Sequence, residues 1–267
     1  RSILVIFALA LMSEISLSQP GSQNISKLYS KGYFEEVAKL APVQISRLSQ
    51  SGRLAEASHI AFLTCRTFIQ LGRYDEAAQV VDPFISDPTL RIRFPDSVVS
   101  LYLCKAAVFR SKRDFGAALE NLRLAKSISA NDSASLAAYQ LEVGRTLYSA
   151  GHDFAAIIWL EKAEKEALAS GHISIYYDAL RFLSLAWTAK FYYANALSYA
   201  ERLVAKSSIG EFEHRNRIAH LELANLLDVT GQPQRSKALY LNGLALSTRA
   251  IADYHAGQFL SSLLLRS

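Results

Sequence analysis

The chain has 267 residues, of which 51% are hydrophobic and 20% charged, and its formal net charge is +5. This apolar share is sufficient for a buried core and excludes a disordered chain. The 29 basic residues are scattered among 24 acidic ones, without a basic patch interleaved with aromatic residues, which argues against a nucleic-acid-binding protein.

The first predicted element is a signal peptide over residues 1–18. An apolar run from Ile3 to Met12 is followed by small residues at Ser16 and Ser18, before a plausible cleavage point at Gln19. A run of this length is too short to span a bilayer but suits the hydrophobic region of a secretory signal. We therefore expect an exported protein, periplasmic or extracellular, without a stable transmembrane anchor. The alternative is an amphipathic or buried opening helix, since Glu14 is unusual in a signal peptide.

Six turns follow at intervals of 38–41 residues. Apolar residues recur every three to four positions on both sides of the turns, as in the segment 155–163, which is typical of α-helices. A period of about 34–47 residues with one turn in its middle indicates two-helix repeats. We expect residues 19–267 to form one array rather than two separate domains. The turn positions are Gly32, Gly72, Arg113, Gly151, Phe191 and Gly231.

Small residues recur at two fixed distances from these turns. Such positions allow two antiparallel helices to approach to about 8 Å, while larger residues one turn away fill the space beside the contact. Seven residues before the turns stand Ile25, Cys65, Ala106, Gly144, Ser184 and Ala224, and five residues after them stand Val37, Ala77, Ala118, Ala156, Ala196 and Ser236.

The turn motifs resemble those of tetratricopeptide repeat proteins. The segment 71–78, LGRYDEAA, has the glycine, aromatic, acidic and small residues of that family's turn, and segments 32–37 and 151–156 are degenerate copies. The resemblance covers about residues 22–250, and the longer period resembles the extended variants of kinesin-light-chain-like and some bacterial regulator repeats. It implies an all-α, right-handed α-solenoid of about six helix-turn-helix repeats, plus a C-terminal helix at about 250–265. Between repeats, we expect residues 86–95 to form a loop, because Pro88 and Pro95 bracket them.

Cys65 and Cys104 lie on the first helices of successive predicted repeats. A disulfide needs Cα atoms within about 7 Å, which equivalent helices of neighbouring repeats seldom reach. We therefore expect buried free thiols, with a disulfide as the alternative.

Catalytic and metal-binding motifs are absent from the sequence. The six histidines form no HExxH motif, no GxSxG elbow is present, and the glycines mark turns rather than phosphate-binding loops. We expect neither an enzyme nor a protein that uses a metal or another cofactor.

In tetratricopeptide folds, one stripe of each first helix lines a concave groove, so the resemblance implies a binding surface there. Four arginines in this stripe suggest an acidic protein or peptide partner, held by charge-assisted hydrogen bonds. The alternative is that these arginines are solvated or paired with nearby acids. The predicted groove consists of Phe62, Arg66, Leu103, Arg110, Leu141, Arg145, Tyr148, Arg181, Asn225 and Asp228.

Two functions agree with this reading. The first is a non-catalytic scaffold that binds a partner segment in the groove. The second is the sensor or docking region of a larger enzyme or signalling protein, for example one with a CHAT-type peptidase domain. Because terminal repeats usually need a polar outer face, the apolar end Phe259–Leu265 predicts that the array continues beyond this chain.

Overall fold

The computed structural model describes residues 21–128, 133–207 and 213–247, and these residues form thirteen α-helices and no strand. Six consecutive helix pairs account for twelve of them, which confirms the predicted all-α solenoid. The predicted signal peptide and the helix at 250–265 lie outside the described residues. The helices are α1 (Gly21–Lys31), α2 (Phe34–Gln50), α3 (Leu54–Gln70), α4 (Tyr74–Ile85), α5 (Pro88–Arg93), α6 (Pro95–Ser111), α7 (Phe115–Ile128), α8 (Ser133–Ser149), α9 (Asp153–Ala169), α10 (Ile173–Ala189), α11 (Tyr193–Ser207), α12 (Glu213–Val229) and α13 (Pro233–Ser247).

All six predicted turns adopt the same left-handed backbone conformation. Gly72 has φ +73°, and Arg113 and Phe191, which replace the glycine, both have φ 62°. The hydrogen bonds at the turns are also equivalent: the N–H of Arg73 donates to Phe68 O at 2.8 Å, and the N–H of Asp114 donates to Phe109 O at 2.9 Å. This is the Schellman pattern, which ends the first helix of each pair and reverses the chain. The turn is therefore common to all repeats, whichever residue occupies it.

The identity of the turn residue affects the free energy of unfolding, and this effect can be measured. Replacing Arg113 with glycine should raise the free energy of unfolding by about 0.5–1 kcal/mol, because a left-handed conformation costs a side-chain-bearing residue roughly 1–2 kcal/mol and glycine's extra chain entropy offsets only part of this. Lys112 has φ −77°, so Lys112→Gly should instead be destabilising. Urea unfolding of the two variants measures the difference, and equal shifts would contradict this account of the turn.

The predicted small-residue positions form the contacts inside each helix pair. All twelve are buried, including Ala156 and Ala196, which have no exposed surface. The approach is tight in the fourth pair, where a methyl group added at Gly144 would lie 2.7 Å from Leu160 Cγ. The register deduced from the sequence is therefore confirmed.

The prediction of a loop at residues 86–95 was wrong, because this segment contains the short helix α5. The Asp87 carboxylate accepts hydrogen bonds from the N–H groups of Thr89 at 2.7 Å and Leu90 at 3.1 Å, which caps the helix. Pro88 occupies the first turn, where its missing N–H has no cost. Leu90 is fully buried and anchors the helix against the core. Both prolines thus begin helices instead of bracketing a loop.

The expectation of free thiols was also wrong. Cys65 on α3 and Cys104 on α6 form a disulfide, with their Cα atoms 6.6 Å apart. The first helices of neighbouring repeats pack side by side throughout repeats 1–5, and α3 and α6 approach closely enough for a bridge. The disulfide therefore fixes repeat 2 to repeat 3 on the inner side of the array.

The two ends of the array also meet. Helix α1, from the first repeat, contacts α12, from the sixth. The first helices of the repeats therefore surround a common interior, which positions the site described next.

Candidate functional site

The first helices of repeats 2–5 line one cavity of about 380 Å³. Gln70 and Asp96 at its rim are exposed, so the cavity opens to solvent there. Most of the wall is apolar, and charged side chains contribute the rest. The principal lining residues are Phe62, Arg66 and Ile69 from α3, Asp96, Ser100, Leu103, Ala107 and Arg110 from α6, Ala134, Ser135, Ala138, Leu141, Glu142 and Arg145 from α8, and Ser174, Ile175 and Asp178 from α10.

Six of the ten predicted groove residues line this cavity, namely Phe62, Arg66, Leu103, Arg110, Leu141 and Arg145. They come together because they occupy the same stripe of successive first helices that pack side by side. Their role in binding a partner stays a prediction.

The other four predicted residues are on the inner helices but do not line the cavity. The ring of Tyr148 packs edge-on against Phe182, with centroids 5.9 Å apart. Arg181 donates a hydrogen bond to Glu222 at 2.7 Å. The Tyr240 hydroxyl lies within hydrogen-bond distance of Asn225 Oδ1, at 2.6 Å, and of Asp228 Oδ2, at 2.8 Å, and shares its one proton between them. These side chains thus make contacts between helices.

The charged part of the cavity is a cluster of two guanidinium groups around one carboxylate. Glu142 accepts a hydrogen bond from Arg145 at 2.7 Å and from Arg110 at 3.4 Å. The side chains of Arg110, Arg145 and Glu142 are only 10%, 14% and 10% exposed. One carboxylate therefore pairs with two guanidinium groups at a buried position. The three groups together carry a net charge of +1. We call these three residues the guanidinium cluster.

Both guanidinium groups of the cluster have a donor without a partner. The Nε atoms of Arg110 and Arg145 are buried and make no hydrogen bond. Burial lowers the pKa of Arg145 to about 10, and the adjacent charge of Arg110 contributes to this shift, whereas Glu142 opposes it. A buried donor without an acceptor is costly, so the two unpaired Nε atoms make the cluster less stable.

Arg66 lies beside the cluster and forms an ion pair across the cavity. Its guanidinium is 3.7 Å from the carboxylate of Asp178 on α10, so the pair joins repeats 2 and 5. The pKa of Arg66 is raised, first by Tyr29, with which its side chain also shares a hydrogen bond, and then by Asp178 and Glu142, while burial opposes the shift. Arg66 thus connects helices from three repeats.

All four arginines of the predicted groove, Arg66, Arg110, Arg145 and Arg181, consequently have an acidic partner within the chain. Pairing with nearby acids was the alternative to an acidic partner for these arginines. The acids were not among the predicted residues because Glu142, Asp178 and Glu222 lie outside the stripe. Glu142 and Asp178 each stand three residues before an arginine of the stripe, Arg145 and Arg181, a spacing that brings side chains together on a helix.

The end of the cavity away from the guanidinium cluster is polar but carries no positive charge. The hydroxyl of Ser135 donates to Asp96 Oδ1 at 3.3 Å, close to the rim. Two helical turns of α8, roughly 10 Å, separate Ser135 from Glu142. The cavity is therefore elongated, with the guanidinium cluster at one end, hydroxyl and carboxylate groups at the other, and apolar side chains between them.

Within residues 21–128, 133–207 and 213–247, no helix is both long enough and apolar enough to cross a bilayer. No group of three or more histidine, cysteine, aspartate or glutamate side chains within this part of the chain could hold a metal ion.

Comparison with known proteins gives relatives by structure alone. No family model matches the sequence, and no curated protein matches it significantly. Among solved structures, BtubC (BKLC) from P. vanneervenii is similar at 12% identity with a TM-score of 0.61, covering 83% of this chain and 93% of that one. The TPR-like repeats of a putative kinesin light chain from Podosopora anserina are similar at 20% identity with a TM-score of 0.51, covering 78% and 99%.

A third similar structure is a signal transduction ATPase with numerous domains from Pyrococcus horikoshii, which has a tetratricopeptide repeat sensor. It is 15% identical with a TM-score of 0.60, and the match covers 87% of this chain but only 36% of that one. At these identities the similarity establishes the fold and leaves the activity open. Together with the conserved turn geometry of the six helix pairs, it establishes that the chain has the tetratricopeptide-like α-solenoid fold.

Proposed function

We propose that this chain is a non-catalytic scaffold that binds a segment of a partner protein on its concave face. The observation that carries the proposal is the convergence of four first helices on one cavity open to solvent. Concave sites with apolar walls and a few polar groups are the usual places for ligand binding.

An acidic partner would have to displace acids that the chain already supplies. Arg66 and Arg181 are the more accessible arginines, with side chains 26% and 34% exposed, so exchange of Asp178 or Glu222 for a partner carboxylate is easiest there. Such an exchange keeps the number of ion pairs constant. It would therefore contribute more to specificity than to affinity.

The scaffold proposal is tested by photocrosslinking from the two faces of the array. A benzophenone amino acid at Gln70, exposed at the rim of the cavity, should crosslink to the partner in extracts of the native host. The same group at Lys165, exposed on the second helix of repeat 4, is the matched control and should give no product. Crosslinking from Lys165 alone would reject the concave face as the binding surface.

A second candidate function is the sensor region of a larger signalling protein. It is favoured by the similarity to the ATPase from Pyrococcus horikoshii, which has a repeat sensor and of which this chain matches 36%. The complete open reading frame of the host distinguishes the two candidates. An effector domain in the same frame would support the sensor, and its absence would support the separate scaffold.

We also propose that the protein is exported and begins near Gln19 after cleavage of residues 1–18. The disulfide supports this proposal independently of the apolar run, because disulfides persist in oxidising compartments and are rare in the reducing cytosol. N-terminal sequencing of protein from the host should start near Gln19. Recovery of the intact apolar run would contradict cleavage.

A further inference from the structure

Most of the middle of the cavity is hydrocarbon, although Ser100 and the Arg66–Asp178 ion pair also line the cavity. Phe62, Leu103, Ala107, Ala138 and Leu141 line it, and their side chains carry neither donors nor acceptors. An amide group buried among them without a partner loses its hydrogen bonds to water, which is unfavourable. A hydrocarbon chain gains from the same burial. The middle of the cavity therefore favours hydrocarbon, from a small ligand or from apolar side chains, over peptide groups.

At one end of the cavity, the guanidinium cluster favours an anionic group instead of hydrocarbon. Arg110 and Arg145 both line the cavity, and two arginines provide ten N–H donors, of which Glu142 accepts only a few. A carboxylate is the planar acceptor that fits guanidinium groups best, and its single charge equals the net charge of the cluster. One carboxylate would therefore satisfy the cluster without excess charge.

We infer that the cavity binds a small amphipathic monocarboxylate, with the carboxylate on Arg110 and Arg145 and the hydrocarbon along Phe62, Leu103 and Leu141. A volume of about 380 Å³ lies within the usual range for small-molecule sites, roughly 300–1,000 Å³. The inference rests on the proposed function in taking the concave face as the binding face. It adds a class of ligand that needs no protein partner.

The test is calorimetric titration of the purified, disulfide-bonded chain with decanoate, kept below its micelle concentration. Decanamide has the same length but no charge, and it is the matched control ligand. Decanoate should bind at least about tenfold more tightly than decanamide, because only the carboxylate pairs with the guanidinium cluster. Absence of decanoate binding, or equal binding of the two ligands, would overturn the inference.

Two variants of the cluster should move the affinity in opposite directions. Arg145→Gln removes one guanidinium and should weaken decanoate binding by about tenfold or more, with little effect on decanamide. Glu142→Gln removes the carboxylate that competes with the ligand and should tighten decanoate binding. Arg202→Gln is the control for loss of an arginine, because Arg202 pairs with Glu164 between second helices, away from the cavity.

Because the two variants should change the affinity for decanoate in opposite directions, the test still decides if one of them folds poorly. Thermal unfolding identifies such a variant, and the other variant together with the decanamide control then decides. Tighter binding by Arg145→Gln or weaker binding by a folded Glu142→Gln would overturn the inference. Failure of decanoate together with binding of a short acetylated peptide would also overturn it, while leaving the proposed scaffold function intact.

Discussion

Removing the disulfide between Cys65 and Cys104 should lower the free energy of unfolding by about 2–4 kcal/mol. The bridge joins residues 39 positions apart, and a closed loop of this size restricts the unfolded chain by about 4 kcal/mol in the chain-entropy model. Native packing changes little in the variant Cys65→Ala/Cys104→Ala, because alanine fits the small-residue position at Cys65. Urea unfolding at a fixed temperature measures the difference between variant and wild type.

Reduction supplies the control for this prediction. A reductant should shift the wild-type urea midpoint to that of the double variant, while the double variant itself stays unchanged. Titration of free thiols in the unfolded, non-reduced wild type should find none on these two residues. Two free thiols, or a midpoint indifferent to reductant, would contradict the disulfide and with it one support for export.

Replacing Ala156 with phenylalanine should destabilise the protein by about 3 kcal/mol. Ala156 is fully buried at the contact between α8 and α9, where a single methyl group at Gly144 would already lie 2.7 Å from Leu160 Cγ. A well-packed interior has no space for a ring, so the helices must separate or neighbouring side chains must leave their preferred rotamers. Ala196→Phe should act similarly at the equivalent place in repeat 5.

The matched control is the same substitution one residue away. Ala155 is exposed on the same helix, so Ala155→Phe makes the same change in sequence without entering the contact. Its melting temperature should stay within a few degrees of the wild type, while that of Ala156→Phe falls by much more. Similar melting temperatures for the two variants would show that the helix contact lies elsewhere.

The repeat architecture was predictable because it depends on residues that lie close together in the sequence. A turn followed by a small residue at a fixed distance needs only local geometry, so Arg113 could be assigned to a turn although it is not glycine. Ala156 could likewise be assigned to a helix contact from its position alone. The structure confirms both assignments, and the comparison with solved structures supports the fold through geometry where sequence identity is too low to do so.

The short helix α5 was not predicted from the local sequence, which indicated a loop at residues 86–95. Two prolines indicated a break, but proline is also favourable at the start of a helix, and the cap from Asp87 decided between these possibilities. Burial of Leu90 then provided tertiary stabilisation for a helix that would be too short to persist alone.

The sequence by itself determined the number of repeats in the described region, their register and six of the residues that line the inner cavity. Only the tertiary structure decided which charged side chains pair with one another. Glu142 pairs with two arginines, Asp178 of repeat 5 pairs with Arg66 of repeat 2, and Glu222 pairs with Arg181. The disulfide belongs to the same group of contacts. These contacts depend on the rotation and translation from each repeat to the next, which accumulate along the array. A periodic pattern fixes the structure of one repeat and leaves the small angle between neighbours to the packing of all of them.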